Sequence, residues 1–313
     1  MLKKPKGKYI YKEYNKKVSK KDFTLVFCFS RSCFVRPIFE SINKMMIPLK
    51  NCHLLIYDNS CNALLERMLL ESIKIYKGVF ASLRIYKSYR EGTHVIIGMR
   101  NYKFKDTKLP PIQEMYEELP KHIETDLFIN IEDDTLCPPN TVNDLLSTYF
   151  EARKKYKRDV FVTGIESSRH YDENIIPQLA IYTIFEKDGK IIKKSSLSAA
   201  RYNVVRVHAC GHYCFITTKK IWSEGWAYPR KNIDHIKHFA MDVFHTYHLH
   251  KSGVPVIANF KVRCDHMQID PRKIIMWKPS QTLPMLDYYI DEFKVWGYCI
   301  PVKKEIYFHD AIC

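Results

Sequence analysis

The sequence predicts an α/β fold built on a doubly wound, mostly parallel sheet. Short apolar runs typical of buried strands alternate with stretches of helical periodicity over residues 22–165. Residues 23–29 and 52–57 are two such runs, and polar segments follow them at residues 30–32 and 58–60. Since a right-handed crossover through the intervening helix places both polar segments at the same edge of the sheet, a βαβ unit is expected here.

Further elements follow from the same patterns. Helices are predicted over residues 34–46, 63–75, 141–156 and 239–251, and strands over residues 82–86, 126–131, 159–163, 204–217 and 254–262. The regular alternation of strands and helices ends at residue 165. Beyond it, β-rich runs on both sides of an Asp188-Gly189 turn predict a hairpin over residues 178–198.

The composition excludes several classes of protein. A chain of 313 residues, 46% of them hydrophobic, suits a globular protein with one large α/β domain. Its apolar runs stay below the roughly 18 residues of a membrane span, and residues 1–21 lack the apolar core of a secretory signal. We therefore expect a cytoplasmic protein, in the host cytoplasm if its source is viral. The ten scattered cysteines are expected to be buried small residues rather than disulfides.

The chain carries a formal net charge of +16, which favours an anionic partner such as nucleic acid or a nucleotide. Half of this excess lies in residues 1–21, which contain nine Lys and one Glu. We interpret this segment as a flexible basic tail that is either solvated or able to bind phosphates. The preference of the remaining chain for a polyanion is therefore modest.

Three adjacent carboxylates, Glu132-Asp133-Asp134, follow the strand predicted at residues 126–131. Like charges this close raise one another's pKa, and a divalent cation that bridges to the phosphates of a nucleotide would relieve the repulsion. An acidic helix N-cap ahead of Pro139 is the alternative interpretation, because carboxylates are favoured at helix starts.

The strands, their polar loops and the acidic triplet follow one another along residues 22–266 in an order that resembles the GT-A glycosyltransferases. The resemblance is to their family-2-like group in particular, within the nucleotide-diphospho-sugar transferase superfamily. The triplet is similar to the family's DxD motif, with Glu132 and Asp134 at the outer positions. The resemblance implies that these two residues and His266 bind Mn²⁺ or Mg²⁺. It also implies that the residues contacting the nucleotide-sugar donor are Phe29, Ser30, Arg31, Asp58, Arg100, Asn101 and Asp133.

The later part of the chain resembles the acceptor side of the same enzymes. Residues 208–216 are similar to a strand of small residues in these enzymes. Asp242 is similar to their acidic residue at the start of a helix, whose carboxylate acts as general base. The family usually places a second acidic residue directly before this one, but the chain has Met241. An inverting transfer is slightly favoured despite this departure. A helix cap is the alternative role for Asp242.

Composition and the resemblance together divide the chain into a basic tail (1–21), a nucleotide-sugar-binding half (22–165), an acceptor and catalytic half (166–270) and a C-terminal wrap or tail (271–313). The resemblance implies a metal-dependent hexosyltransferase-like enzyme with a UDP-sugar as the favoured donor. The acceptor could be a modified base in DNA, another polyanion, a glycan or a protein. A nucleic-acid-binding protein without catalysis and a nucleotidyltransferase remain the alternative functions.

Four potential zinc ligands, His208, Cys210, His212 and Cys214, alternate within the strand predicted at residues 204–217. Alternate residues of a strand face the same side and do not readily surround one tetrahedral ion. We therefore prefer the interpretation that these histidines are hydrogen-bonded within the protein or exposed to solvent. A structural zinc ion is left open.

Overall fold

The computed structural model describes residues 7–30, 34–59, 63–88, 111–166, 179–187, 190–195, 203–226, 240–266, 269–270, 275–276 and 308–310. Its strands are β1 Lys8–Tyr14, β2 Phe23–Phe29, β3 Cys52–Asp58, β4 Ser82–Lys87, β5 Leu127–Glu132, β6 Thr135–Leu136, β7 Phe161–Glu166, β8 Ile181–Lys187, β9 Lys190–Ser195, β10 Val204–Val207, β11 Ala209–Cys210, β12 Cys214–Thr218, β13 Val256–His266, β14 Ile269–Asp270, β15 Ile275–Met276 and β16 Phe308–Asp310. Its α-helices are α1 Val35–Lys44, α2 Ala63–Ser72, α3 Pro111–Glu118, α4 Thr141–Tyr156, α5 Lys219–Trp226 and α6 Met241–Lys251.

A large mixed sheet organises the described residues. Its strands lie in the order β1-β4-β3-β2-β5-β12-β7-β13-β10-β16, and β6 pairs with β13 beside this path. β4, β3, β2 and β5 are parallel to one another, β12 is antiparallel to both β5 and β7, and β13 is parallel to β7. The predicted α/β fold with a mostly parallel sheet is therefore confirmed. The predicted hairpin is confirmed as well, because β8 and β9 pair in a small second sheet with β11.

Helices cover both faces of the large sheet. One core cluster joins the sheet to α1, α2 and α4, and a second joins it to α3, α5 and α6. In β2, Leu25 and Phe27 belong to the first cluster, whereas Val26 and Cys28 belong to the second. Because both faces are buried, this strand is a continuous apolar run rather than an alternating one. Among the described helices, none has the length and apolar character to cross a membrane.

The interpretation of residues 1–21 as a flexible tail is wrong for the part that forms β1. This strand pairs antiparallel with β4 at the edge of the large sheet. Tyr9 and Tyr86 make an edge-to-face ring contact with centroids 5.1 Å apart, and Ile10 and Tyr11 pack against the first core cluster. The run of lysines conceals aromatic residues that suit a half-buried edge strand. Residues 1–6 lie outside the described part.

The single strand predicted over residues 204–217 is also wrong. The chain forms three short strands there: β10 in the large sheet, β11 in the small sheet and β12 in the centre of the large sheet. Gly211 lies between the last two, where a methyl group would come within 2.7 Å of the Tyr213 ring. Glycine therefore permits a close approach that a longer side chain would block.

The C-terminal wrap or tail predicted over residues 271–313 lies mostly outside the described residues. Its described strand β16 runs parallel to β10 at the far edge of the large sheet.

Candidate metal and donor site

The carboxyl ends of five mutually parallel strands meet at one edge of the large sheet. β2, β3, β5, β7 and β13 end there at Phe29, Asp58, Glu132, Glu166 and His266. Four of these terminal residues are ionisable, although the strands before them are largely apolar. Since ligands of doubly wound sheets bind outside the carboxyl ends of the strands, this edge is the candidate site.

His266 lies between two buried carboxylates that are distant in sequence. Its Nε2 is 3.2 Å from Asp134 Oδ2, and its Nδ1 is 3.7 Å from Glu166 Oε2. The hydroxyl of Thr135 donates a hydrogen bond of 2.8 Å to Glu166 Oε1. This arrangement follows from β6, which pairs antiparallel with β13 and places Thr135 opposite His266.

The accumulated negative charge is costly without a cation. Burial raises the pKa of Glu166 to about 8; His266 opposes this shift, whereas Asp134 and Glu132 add to it. Asp134 and Glu166 are 1% and 3% exposed. Carboxylates gathered in this way are suited to a divalent ion with hard oxygen ligands.

The contacts of the His266 ring are also those expected at a site for a divalent ion. A histidine that binds a metal through one nitrogen commonly directs its other nitrogen at a carboxylate, which fixes the orientation of the ring. Here Nε2 faces Asp134 and Nδ1 faces Glu166. Asp134 and His266 Nε2 are therefore suited to hold an ion, and Glu166 is suited to orient the imidazole. The carboxylate oxygens suit Mn²⁺ or Mg²⁺, and the imidazole nitrogen favours Mn²⁺ of the two.

Glu132 is held by a buried tyrosine on the opposite face of the sheet from α4. The Tyr116 hydroxyl donates a hydrogen bond of 2.6 Å to Glu132 Oε1, and the indole Nε1–H of Trp222 donates one of 2.8 Å to the Tyr116 carbonyl. Burial first, and then the charge of Glu132, raise the pKa of the Tyr116 phenol well above its usual value. The phenol therefore remains a hydrogen-bond donor at neutral pH.

Asp133 binds the loop after β2. The Ser30 amide and hydroxyl donate hydrogen bonds of 2.8 and 3.2 Å to its Oδ2. The side chain of Phe29, a residue predicted to contact the donor, lies in the core. It is fully buried and stacks on Phe39 with ring centroids 6.1 Å apart, and the Phe29 carbonyl accepts a hydrogen bond from the Asn59 amide. The pleat of β2 directs Phe29 to the covered face of the sheet.

Asp58 ends β3 in a buried ion pair. Lys87 Nζ lies 3.1 Å from Asp58 Oδ2 and 2.8 Å from Glu66 Oε2. Burial lowers the pKa of Lys87, but hydrogen bonds and charge from Glu66 and Asp58 outweigh it and raise the pKa overall. Lys87 therefore stays charged and orients the carboxylate that was predicted to contact the nucleoside.

Asp242 lies in the first turn of α6, and its Oδ1 accepts a hydrogen bond of 2.8 Å from the Val243 amide. A methyl group at Gly211 would come within 3.2 Å of Asp242 Oδ2, so the Gly211 backbone lies close to this carboxylate. The charge of Asp242 also contributes to the raised pKa of Tyr116. Asp242 and Glu132 thus act electrostatically on the same buried phenol.

Comparison with known proteins supports the fold. No protein-family model and no curated protein matches the sequence. The crystal structure of GalNAc-T7 with UDP, GalNAc and Mn²⁺ matches 88% of this chain with a TM-score of 0.51 and 13% sequence identity. The chain has the GT-A fold. It spans about half the length of GalNAc-T7, since the match covers 50% of that protein.

Other GT-A structures match less closely. The mannosyltransferase PcManGT from Pyrobaculum calidifontis, in complex with GDP-Man and Mn²⁺, has a TM-score of 0.47 at 9% identity; the match covers 90% of this chain and 79% of PcManGT. S. aureus TarS has a TM-score of 0.45 at 10% identity, over 90% of this chain and 46% of TarS.

Some of the predicted site residues lie together in the structure, and others lie outside the described residues. Asp134 and His266, which are 132 residues apart in sequence, are in contact. Arg31, Arg100 and Asn101 lie outside the described part of the chain.

Sequence reasoning missed three residues of this GT-A edge. Glu166 could have been found, because it follows an apolar run at the end of a parallel strand. Lys87 likewise ends β4, but the strand was predicted to stop one residue earlier. Tyr116 lies in α3 with no local signal, since its contact with Glu132 depends on tertiary packing.

The four alternating histidines and cysteines do not gather around one point. His212 Nε2 lies 3.1 Å from His245 Nδ1 in an aromatic core, whereas the Nδ1 of His208 contacts the backbone of the small sheet. Cys210 and Cys214 belong to different core clusters.

Proposed function

We propose that the chain is a metal-dependent glycosyltransferase that moves a sugar from a nucleoside-diphosphate donor to a hydroxyl group of an acceptor. The contact between Asp134 and His266 at the carboxyl edge of a GT-A sheet carries this proposal. GalNAc-T7, which shares the fold, contains UDP and Mn²⁺ in its crystal structure. A UDP-sugar is therefore the donor that we favour.

In this proposal, Glu132, Asp134 and His266 hold Mn²⁺ or Mg²⁺. An ion held by these residues would supply positive charge opposite the leaving diphosphate. Glu166 orients the His266 ring, and Asp133 fixes the loop after β2 through Ser30. These contacts keep the ligands in place before the donor binds, which reduces the reorganisation needed during transfer.

Other residues hold the donor. Asp58, oriented by Lys87, accepts hydrogen bonds from the nucleoside. Arg31, Arg100 and Asn101 are assigned to the base, ribose and phosphates by the family resemblance alone. Their roles remain predictions.

Asp242 is the proposed general base. The bond between the sugar C1 and the diphosphate oxygen breaks, a new bond forms between C1 and the acceptor oxygen, and the acceptor proton passes to Asp242. This chemistry inverts the configuration at C1. The acceptor belongs to one of three classes: a polyanion such as DNA, a glycan, or a protein.

A donor screen tests the proposal. Release of nucleoside diphosphate is measured from UDP- and GDP-sugars, with and without Mn²⁺, in the presence of DNA or glycan acceptors. We expect Mn²⁺-dependent release that Asp134→Asn lowers at least ~100-fold, because an essential ligand charge is lost. The matched control is Glu151→Gln, an exposed carboxylate on α4, which is expected to keep full activity.

Two outcomes would contradict the proposal in different ways. Release of pyrophosphate from a nucleoside triphosphate and a sugar phosphate would assign the chain to the nucleotidyltransferases. Salt-sensitive DNA binding that survives Asp134→Asn, without turnover of any donor, would indicate a nucleic-acid-binding protein.

A further inference from the structure

Three cysteines that are far apart in the sequence converge in the core. Cys137 follows β6, Cys214 begins β12, and Cys264 lies near the end of β13. The Sγ atom of Cys137 is 3.7 Å from that of Cys214 and 3.7 Å from that of Cys264, and all three sulfur atoms lie within 4.8 Å of one another. We call this set the thiol cluster.

The strand register accounts for the convergence. β6 and β13 pair with Leu136 opposite Asp265 and Thr135 opposite His266. One step further along the same antiparallel register, Cys137 faces Cys264. Cys214 reaches them from β12, which pairs with β5 so that Cys214 is opposite Ile131.

The sulfur spacing matches a metal site. Zinc binds cysteine thiolates at about 2.3 Å in tetrahedral geometry, which places neighbouring sulfur atoms about 3.8 Å apart. Thiols are weak hydrogen-bond donors, so that contacts among three of them gain little without a cation. The distances are also too long for a disulfide, whose sulfur atoms are about 2.05 Å apart.

Other described cysteines behave differently. Cys28 donates a hydrogen bond to Asn130, and Cys52 and Cys210 are buried at other places in the core. Among the described residues, three or more potential metal ligands with all donor atoms this close occur in the thiol cluster alone.

We propose that Cys137, Cys214 and Cys264 bind one zinc ion, at a site separate from the carboxylates of the candidate donor site. Three sulfur–zinc bonds replace three S–H bonds, and the three protons leave to water. A water molecule would complete the tetrahedron on the side of Cys137, the one residue of the three that is only partly buried. Cys214 and Cys264 are buried, so that the other sides of the ion are enclosed by protein.

Zinc at the thiol cluster would connect segments that carry the candidate donor site. Cys137 lies three residues after Asp134, and Cys264 lies two residues before His266. The ion would thereby link the end of β6 to β12 and β13. This role does not require glycosyl transfer, since it follows from the thiol geometry alone.

The test uses the full chain purified without chelators. Elemental analysis is expected to find about one zinc per chain. After exchange, Co²⁺ is expected to give the intense near-ultraviolet absorption of sulfur-to-metal charge transfer, which carboxylate and imidazole ligands do not produce. Cys137→Ser, Cys214→Ser and Cys264→Ser should each weaken or abolish this band. Cys52→Ser, a buried cysteine outside the cluster, and Asp134→Asn should retain it.

The unmutated chain decides the question even if a serine variant fails to fold. A folded chain that contains no zinc and shows no thiolate band with Co²⁺ overturns the proposal. A disulfide between two cluster cysteines, found by mass spectrometry under non-reducing conditions, overturns it as well. A band that disappears in Asp134→Asn but persists in Cys214→Ser would place the cation at the carboxylates instead.

Discussion

At the scale of single residues, Tyr116 connects two parts of the candidate site. Its hydroxyl donates to Glu132, and its pKa responds to the charges of both Glu132 and Asp242. Its carbonyl is held in turn by Trp222. A carboxylate that accepts a hydrogen bond from a buried donor keeps one orientation. Such a fixed orientation is what a preorganised metal site requires of its ligands.

We predict that Tyr116→Phe reduces kcat/KM about 10- to 100-fold, because a hydrogen bond to a charged group contributes about 1.5–3 kcal/mol. The aromatic ring remains, so the fold should persist. Donor turnover and thermal unfolding are the measurements. Tyr149→Phe is the matched control, since this buried tyrosine on α4 donates to Asp159 away from the site. Equal losses of activity in both variants would indicate a general packing effect and contradict a positioning role for Tyr116.

At the scale of elements, β1 shows why charge patterns mislead. Its lysines predicted a tail, but aromatic residues between them pair with β4 and cover the sheet edge. A single sequence shows the charges directly, whereas the residues of β4 that pair with β1 lie 68 to 79 positions away in the sequence. The same limit applies to β10, β11 and β12, because they pair with three different strands, β13, β8 and β5 respectively.

The segment after β1 is held by Asp22. Lys16 Nζ lies 2.7 Å from its Oδ1, and the Ser19 amide, the Asn51 amide and His53 also contact the carboxylate. Burial opposes ionisation of Asp22, but the hydrogen bonds from Lys16, Ser19 and Asn51 outweigh it. They hold the pKa of the carboxyl well below its usual range.

We predict that Asp22→Asn lowers the free energy of unfolding by about 1–3 kcal/mol at neutral pH, since charged partners lose a buried carboxylate. The folded-state pKa lies below the unfolded value, so this stabilisation is present above about pH 4 and declines as the pH falls further. Denaturant unfolding of both proteins between pH 3 and pH 7 measures it. A difference in stability that stays constant across this range would contradict the role of the charge. Asp144→Asn on α4 serves as the control.

At the scale of the whole molecule, the sequence predicted most of the alternating strands and helices of residues 22–165 and the sheet edge that carries the candidate site. Apolar runs followed by polar residues were sufficient for this, because parallel strands direct their carboxyl ends to one edge. The contact of Asp134 with His266 was expected from the family resemblance and not from spacing. Tyr116 and the thiol cluster could not be found, because their partners meet only when β5, β6, β12 and β13 are assembled.

The candidate site draws on both halves of the chain, from Ser30 to His266, and this has a consequence for global stability. A ligand that binds the folded state alone stabilises it by RT ln(1 + [L]/Kd), or about 2.7 kcal/mol at 100 times the Kd. We therefore predict that UDP with Mn²⁺ raises the unfolding temperature by on the order of 5 °C. UDP without metal should raise it much less, because its phosphates then face the carboxylates unscreened.

Thermal unfolding of the full chain, followed with UDP, Mn²⁺, both or neither, measures this coupling. Binding free energies are reciprocal, so Mn²⁺ should strengthen UDP binding by the same factor by which UDP strengthens Mn²⁺ binding, and calorimetry can check both. Asp134→Asn should remove the joint effect, and Glu151→Gln should keep it. Strictly additive shifts would contradict a shared site, because two independent sites contribute separate stabilisation and leave no coupling between the metal and the nucleotide.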